Sequence, residues 1–264
     1  MNKKNQEELA LCLNELCLLT ISRQYARVAD ESRAESLSHE QFLFNLVRQE
    51  CDSRRNKRIE RYLKESHLPL EKTINSFNLK RLPLKAIQQV KTLINGEFVG
   101  RKENILIFGN PGSGKTHIAC GIGHELIRQD KRVYFTTCAL LLQDLLLAKK
   151  DLKLKRLLKT FSRYDVFIID DIGYVQQEQK EMEVLFTLLA ERYERGSVVI
   201  TSNLPFSKWN NVFKDPMMTA AAVDRIVHHS VILEFNIESY RIDAAKKQKM
   251  DQRELEKKTT EDQQ

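Results

Sequence analysis

"IFGNPGSGKTHIAC", Ile107 to Cys120, passes from an apolar run through three glycines into Lys115 and Thr116. Gly109, Asn110, Pro111, Gly112, Ser113, Gly114, Lys115 and Thr116 spell G-x-x-x-x-G-K-[ST]. The motif carries meaning when a strand enters it and a helix leaves it, and the flanking residues have those patterns. The glycines let successive N–H groups converge on one anion, and the helix that follows adds the positive end of its dipole. On this reading the loop cradles the phosphates of ATP. Lys115 reaches the β and γ phosphates, and Thr116 offers its hydroxyl to Mg²⁺.

A second stretch supports the first independently. "VFIIDDIG", Val166 to Gly173, is an apolar strand ending in two carboxylates, the pattern by which a Walker B strand brings an acid to Mg²⁺. Asp170 is expected to hold the metal through its water shell, and Asp171 to orient and deprotonate the attacking water. The next apolar run, "SVVITSN", ends in Asn203, whose amide is placed to bond the γ-phosphate or the water; an ordinary turn before Pro205 is the other reading. Arg225, in "DRIVHH", would act on a neighbouring subunit's phosphates as an arginine finger, or else pair with Asp224 or Glu234.

The 264 residues suffice for one large domain and an accessory one. From Asn104 onward short apolar runs alternate with helical patterns, the mark of a parallel α/β sheet, with strands expected at Ile105–Phe108, Val133–Thr136, Val166–Asp170, Ser197–Thr201 and Val231–Phe235. Residues 1–68 read as a helical domain: a Leu9–Ala29 pattern, a stretch behind Ser38 as N-cap, and a third helix over about Cys51–Lys64. Pro69 and Pro83 bracket a connecting segment, so 69–103 is expected to be a linker lying against the ATPase domain of 104–243; the charged tail 244–264 reads as solvated helix or disorder.

The run "LALCLNELCLLTI" is too short to span a bilayer and is interrupted by Asn14 and Glu15, which argues for a packed helix and against a membrane partner. Five scattered cysteines, without metal spacing, suit free thiols filling the core of a cytoplasmic protein.

A formal net charge of +7, with 43 basic residues against 36 acidic, favours a polyanionic partner. Two patches stand as candidates for sequence-nonspecific DNA contact. "KKDLKLKRLLK", Lys149–Lys159, puts part of the set Lys153, Lys155, Arg156 and Lys159 on one helical face, with Leu152, Leu154, Leu157 and Leu158 on the packed side. "SRRNKRIERYLK" holds six basic residues against one acid, among them Arg54, Arg55, Lys57 and Arg58, with Tyr62 to stack or pack.

Taken together these residues resemble the IstB-like ATPases, AAA+ helpers encoded beside the transposase of certain insertion sequences. The resemblance covers nearly the whole chain. "GNPGSGKTHIA" is similar to the family's phosphate loop, with His117 trailing Thr116, and "ITSNLPFSKWNNVFKDPMMTAAAVDRIVHH" follows the family's order of "TSNLP", Trp, "DP" and "DRIVHH". It implies a five-stranded parallel AAA+ P-loop core with a small helical N-terminal domain, a ring or helical homo-oligomer with nucleotide at its interfaces, DNA bound by the assembly, and a cognate transposase as partner. The Lys149–Lys159 interval would then carry a channel-facing helix. Many AAA+ proteins have Asp-Glu where this chain has Asp170-Asp171; the shorter acid implies slow turnover, suited to a switch. The DnaC-type helicase loaders are the nearest alternative. A small-molecule kinase would need an arginine-bearing lid and an acceptor pocket.

Overall fold

The computed structural model describes residues 3–172, 179–205, 209, 226–235, 237, 239 and 240. Arg225 and the tail 244–264 lie outside the described residues. The chain divides into two compact units, Met1–Arg61 and Tyr62–Gln264.

The first unit is helical: α1 (Lys3–Glu15), α2 (Leu19–Ala34) and most of α3 (His39–Glu65). The expected continuous pattern from Leu9 to Ala29 breaks at Cys17, which has a left-handed φ of 55°. The reason is a long-range cap. Glu50 Oε2 accepts the amides of Thr20 and Ile21 at 2.8 and 3.1 Å, satisfying two donors that a helix start leaves orphaned. Arg54 completes the junction, donating to Glu50 Oε1 at 2.8 Å and to the Cys17 carbonyl at 2.6 Å. Ser38 does cap α3, its Oγ accepting from the Gln41 amide at 3.2 Å. The two helices expected on either side of Cys51 are one helix of 27 residues, since no glycine or proline interrupts it.

Within the second unit, 69–103 is more ordered than a linker. Asn78 Oδ1 accepts from the Lys80 amide and starts a 3₁₀ turn (Leu79–Arg81), after which α4 (Leu84–Ile94) and α5 (Glu97–Gly100) follow. Pro83 does not disfavour helix here. It precedes the first turn of α4, where a missing N–H costs nothing.

The sheet is parallel and five-stranded, in the order β2-β3-β4-β1-β5. Its strands are β1 (Asn104–Gly109), β2 (Val133–Thr137), β3 (Val166–Ile172), β4 (Ser197–Ser202) and β5 (Ser230–Phe235), each at the expected place. Helices α6 (Lys115–Arg128), α7 (Cys138–Lys150), α8 (Leu154–Phe161) and α9 (Gln179–Arg192) connect the strands among the described residues. Strands covered on both faces read as continuous apolar runs, and Ile105, Leu106, Ile107, Phe167, Ile168 and Ile169 are all fully buried. Each such side chain contributes about 2 kcal/mol of transfer free energy.

Two details frame the site. Arg192, at the end of α9, is 4% exposed and donates to the carbonyls of Phe161, Tyr164, Asp165 and Ser197, tying the end of α8 to the starts of β3 and β4. Burial lowers its pKa to about 10. Trp209, the chain's single tryptophan, is 1% exposed, edge-on to Phe108 with ring centroids 6.1 Å apart, and donates from Nε1 to the Leu204 carbonyl at 3.1 Å. Of the five cysteines, only Cys120 and Cys138 fill the core; Cys12, Cys17 and Cys51 are exposed on the helices and the turn of the first unit.

Candidate active site

The strand order decides which residues meet. Because β4 lies between β1 and β3, the tip of β4 stands between the loop that ends β1 and the carboxylates that end β3. Lys115, Thr116, Asp170, Asp171 and Asn203 therefore converge.

Lys115 is 6% exposed, and its ammonium is fully engaged. It donates to the carbonyls of Gly109 and Asn110 at 2.9 and 3.0 Å and to Asn203 Oδ1 at 2.5 Å. The other end of the same amide donates from Nδ2 to Asp171 Oδ1 at 2.8 Å. Thr116 Oγ1 donates to Asp170, 2.8 and 3.0 Å from its two oxygens, and Thr201 Oγ1 donates to Asp170 Oδ1 at 2.6 Å. Thr201 also accepts the Asp171 amide at 2.8 Å, so one hydroxyl fixes both carboxylate residues.

Asp171 owes its direction to a bulge. The β3–β4 pairing runs Ile169 to Ile200 and resumes at Ile172 with Ser202, so β3 carries one extra residue, and Asp171 takes a left-handed φ of 65°. A bulge re-aims a side chain that regular alternation would send elsewhere, and Asp tolerates this backbone better than most residues.

The loop fits phosphate on its own evidence. Gly112 and Gly114 have φ of 79° and 91°, and a Cβ at either would collide, with Ser239 Oγ at 2.0 Å and with the Phe77 ring at 2.5 Å. The buried Ser113 Oγ has no hydrogen-bond partner among the described residues. A hydroxyl that donates its proton to Asp170, as Thr116 does, keeps its lone pairs for a hard cation. Mg²⁺ fits that donor set of one hydroxyl, one carboxylate and phosphate oxygens.

Beside the loop lies a cavity of about 300 Å³ that local sequence patterns did not reveal, lined by Phe77, Asn78, Arg81, His117 and Tyr240 among others. His117 turns toward the 69–83 segment: its Nε2 lies 2.9 Å from the Thr73 carbonyl and 3.1 Å from Ser76 Oγ, with the Phe77 ring 5.1 Å away. Tyr240 donates its amide to the Gly112 carbonyl at 2.9 Å, and the Arg81 guanidinium lies 5.1 Å from the centre of its ring. Of these residues His117 belongs to the phosphate-loop motif, whereas Phe77, Asn78, Arg81 and Tyr240 are scattered in sequence and left no signal; Thr201, beside Asp170, lies inside the "TSN" strand end.

The basic patches divide. Lys155, Arg156 and Lys159 stand exposed on α8, with Lys153 at its N-cap; Leu154, Leu157 and Leu158 are half-buried, but Leu152 is 93% exposed and not on the packed side, because it sits in the turn before α8. In the first unit Arg54 is committed to the Glu50 junction, whereas Arg55 and Lys57 are exposed and Arg58 is half-buried. No described helix is long and apolar enough to cross a membrane.

A phosphate loop after β1, a carboxylate pair ending β3 and an amide-tipped strand between them define an ATP-binding core of the AAA+ P-loop class. Solved structures share that fold: the DnaC helicase loader, with a TM-score of 0.55 at 16% identity over 63% of this chain and 98% of its own, and AMPPCP-bound DnaA from Aquifex aeolicus, with 0.55 at 19% over 66% of this chain and 52% of its own. The chain belongs to the family described as IstB-like ATP binding protein, whose model matches residues 11–249. It is 42% identical, over 91% of its length and 81% of the relative's, to an insertion-sequence ATP-binding protein of Sinorhizobium fredii. It is 34% identical, over 91% of each chain, to an ATP-binding protein of insertion sequence IS21 from Pseudomonas aeruginosa.

Proposed function

We propose that this chain hydrolyses ATP as the helper of an insertion-sequence transposase: its ATP-bound homo-oligomer assembles on DNA, remodels it and stimulates the transposase. The observation that carries the ATP half is the Asn203 amide, held between the Lys115 ammonium and the Asp171 carboxylate. The transposition half is supported by the insertion-sequence relatives.

In this reading Thr116 and Asp170 hold Mg²⁺, which neutralises phosphate charge when bound. Lys115 leaves its loop carbonyls for the β and γ oxygens. Asn203, losing that partner, turns its amide on the γ-phosphate or the lytic water while keeping Asp171 oriented. Asp171 accepts the water's proton. Arg225 supplies positive charge from a neighbouring subunit. The cavity beside Phe77, Arg81 and Tyr240 takes the base and sugar, and Lys153, Lys155, Arg156 and Lys159 meet DNA phosphates.

Electron microscopy of the purified protein with linear duplex DNA tests this. Rings or helical arrays on DNA are expected with ATP and not without it, and not with Lys115→Ala. Assemblies indifferent to both would overturn the switch. A helicase-loader role is supported by the likeness of fold to DnaC; stimulation of the transposase by the purified protein decides against it.

A further inference from the structure

The turn between α7 and α8 is built in a way that helix stability alone does not favour. Asp151 is the C-cap of α7, the Lys153 amide donates to the Ala148 carbonyl at 2.7 Å, and the Leu152 amide donates to that of Lys149 at 3.2 Å. This pair of bonds is a Schellman motif, and it puts Leu152 at the left-handed position with φ of 58°. Glycine is the usual residue there because it has no Cβ to strain. Here the position holds a leucine, and its side chain is 93% exposed, the most exposed large apolar side chain among the described residues. The residue thus combines backbone strain with the loss of any burial, while two hydrogen bonds hold its Cα in a fixed direction. The same turn closes other helices on Cys17, Ser36, Lys102 and Asp130, but Leu152 is the one aliphatic residue among the described left-handed ones, and holding its side chain in solvent argues for a use outside the folding of the chain.

Its surroundings indicate the partner. Lys149, Lys150 and Lys153 stand within three residues of it, and Lys155, Arg156 and Lys159 follow on α8. Lys149 pairs with Glu183 and Lys153 with Asp151, but Lys150, Lys155, Arg156 and Lys159 make no ion pair among the described residues. A cationic rim repels a second copy of the same surface. It suits a polyanion with an apolar interior, which is what the stacked bases of duplex DNA offer between two phosphate backbones. Proteins that kink DNA press a lone apolar side chain between base steps while neighbouring cations hold the phosphates.

We propose that Leu152 is a wedge that enters the base stack of duplex DNA, unstacking one step and kinking the helix where α8 grips the backbone. This rests on the reading of α8 as a phosphate-contacting helix. It gives the remodelling a physical agent: the cations supply affinity and Leu152 the deformation. Wedge insertion also favours flexible pyrimidine–purine steps, so it predicts a mild target preference without base-edge hydrogen bonds.

The test uses a duplex of about 30 base pairs that carries 2-aminopurine at several positions and a donor and acceptor dye at its ends. With the full-length protein and ATP, 2-aminopurine fluorescence should rise and the ends should approach. Leu152→Gly should keep the thermal midpoint or raise it by about 2 °C, because glycine fits the left-handed turn. It should hold affinity within about tenfold at an unchanged salt slope, yet lose both optical signals. Leu152→Phe should retain them. The triple change Lys155→Ala, Arg156→Ala and Lys159→Ala should instead weaken binding and lower the slope of log K against log salt by roughly 0.9 per lost contact. If parent protein binds DNA through those cations with no 2-aminopurine rise, or if Leu152→Gly keeps both signals, the wedge is wrong and the phosphate-contact reading stands. If the triple variant binds like the parent, that underlying reading fails. A change in the DNA-free oligomeric state of Leu152→Gly would mark the leucine as a protein contact and also overturn the wedge.

Discussion

Asn203 donates its side-chain amide to the Asp171 carboxylate at 2.8 Å, and the carbonyl of the same group accepts the Lys115 ammonium. An amide has one donor end and one acceptor end, so a phosphate that draws Lys115 away disturbs the partner of the acid at the same moment. Asn203→Ala should leave ATP bound, because the loop and Lys115 remain, but lower single-turnover hydrolysis by about 10²-fold, the usual loss for one positioned polar group. A rate equal to the parent's would make Asn203 a strand-end turn and nothing more.

Lys115→Ala should abolish ATP binding, because the ammonium bonded to the loop carbonyls is lost. Calorimetric titration checks this, with the thermal midpoint as a control for folding.

Asp171→Asn should keep ATP bound and slow hydrolysis by about 10²- to 10⁴-fold, since an amide accepts no proton. Asn tolerates the left-handed backbone at this position, so stability should hold. The variant should dwell longer on DNA in ATP; equal turnover in both proteins would place the base elsewhere.

Arg225→Ala should spare ATP binding by isolated subunits and impair hydrolysis by the oligomer. Mixing it with Asp171→Asn should restore part of the activity, because an intact Asp171 site then meets an intact Arg225. Absence of recovery in demonstrated mixed assemblies would make Arg225 structural.

A fifth expectation concerns pH and the first unit. Burial pushes the Glu50 carboxyl up, but the Arg54 hydrogen bond and the Ile21 and Thr20 amides outweigh it and hold its pKa below the ordinary value. A carboxyl lowered on folding contributes its stability in full above the unfolded pKa and loses it as pH falls through the folded one. The cap should therefore be worth about 1 kcal/mol at neutral pH and fade in acid below about pH 4. Glu50→Gln should flatten that acid limb in a pH series of thermal melts; an unchanged limb would assign it to other carboxylates.

The phosphate loop was legible because its information is local: glycines, Lys115 and Thr116 are contiguous, and each type has one use there. The five strands were legible because double-sided burial writes unbroken apolar runs. What escaped depends on partners far away in sequence. Nothing near Cys17 announces a helix break, because Glu50 supplies the cap from about thirty residues on. The Asp171 bulge shows only once β3 has a neighbour to be out of register with. Leu152 reads as a packed leucine by spacing, and only the turn at Asp151 removes it from the helix face. The cavity needs Phe77 and Tyr240 to meet at the phosphate loop; β5 beside β1 brings Tyr240 there, and His117 holds the segment that carries Phe77.

Trp209 turns this arrangement into an instrument. Its ring lies against Phe108, the residue before the phosphate loop, and its indole N–H holds the carbonyl of Leu204, the residue after Asn203. As the chain has one tryptophan, emission excited at the red edge of the aromatic band comes from this ring alone. The two strand tips that flank the nucleotide share a single built-in fluorophore, and stopped-flow records of the unlabelled protein can time their motion against binding and turnover.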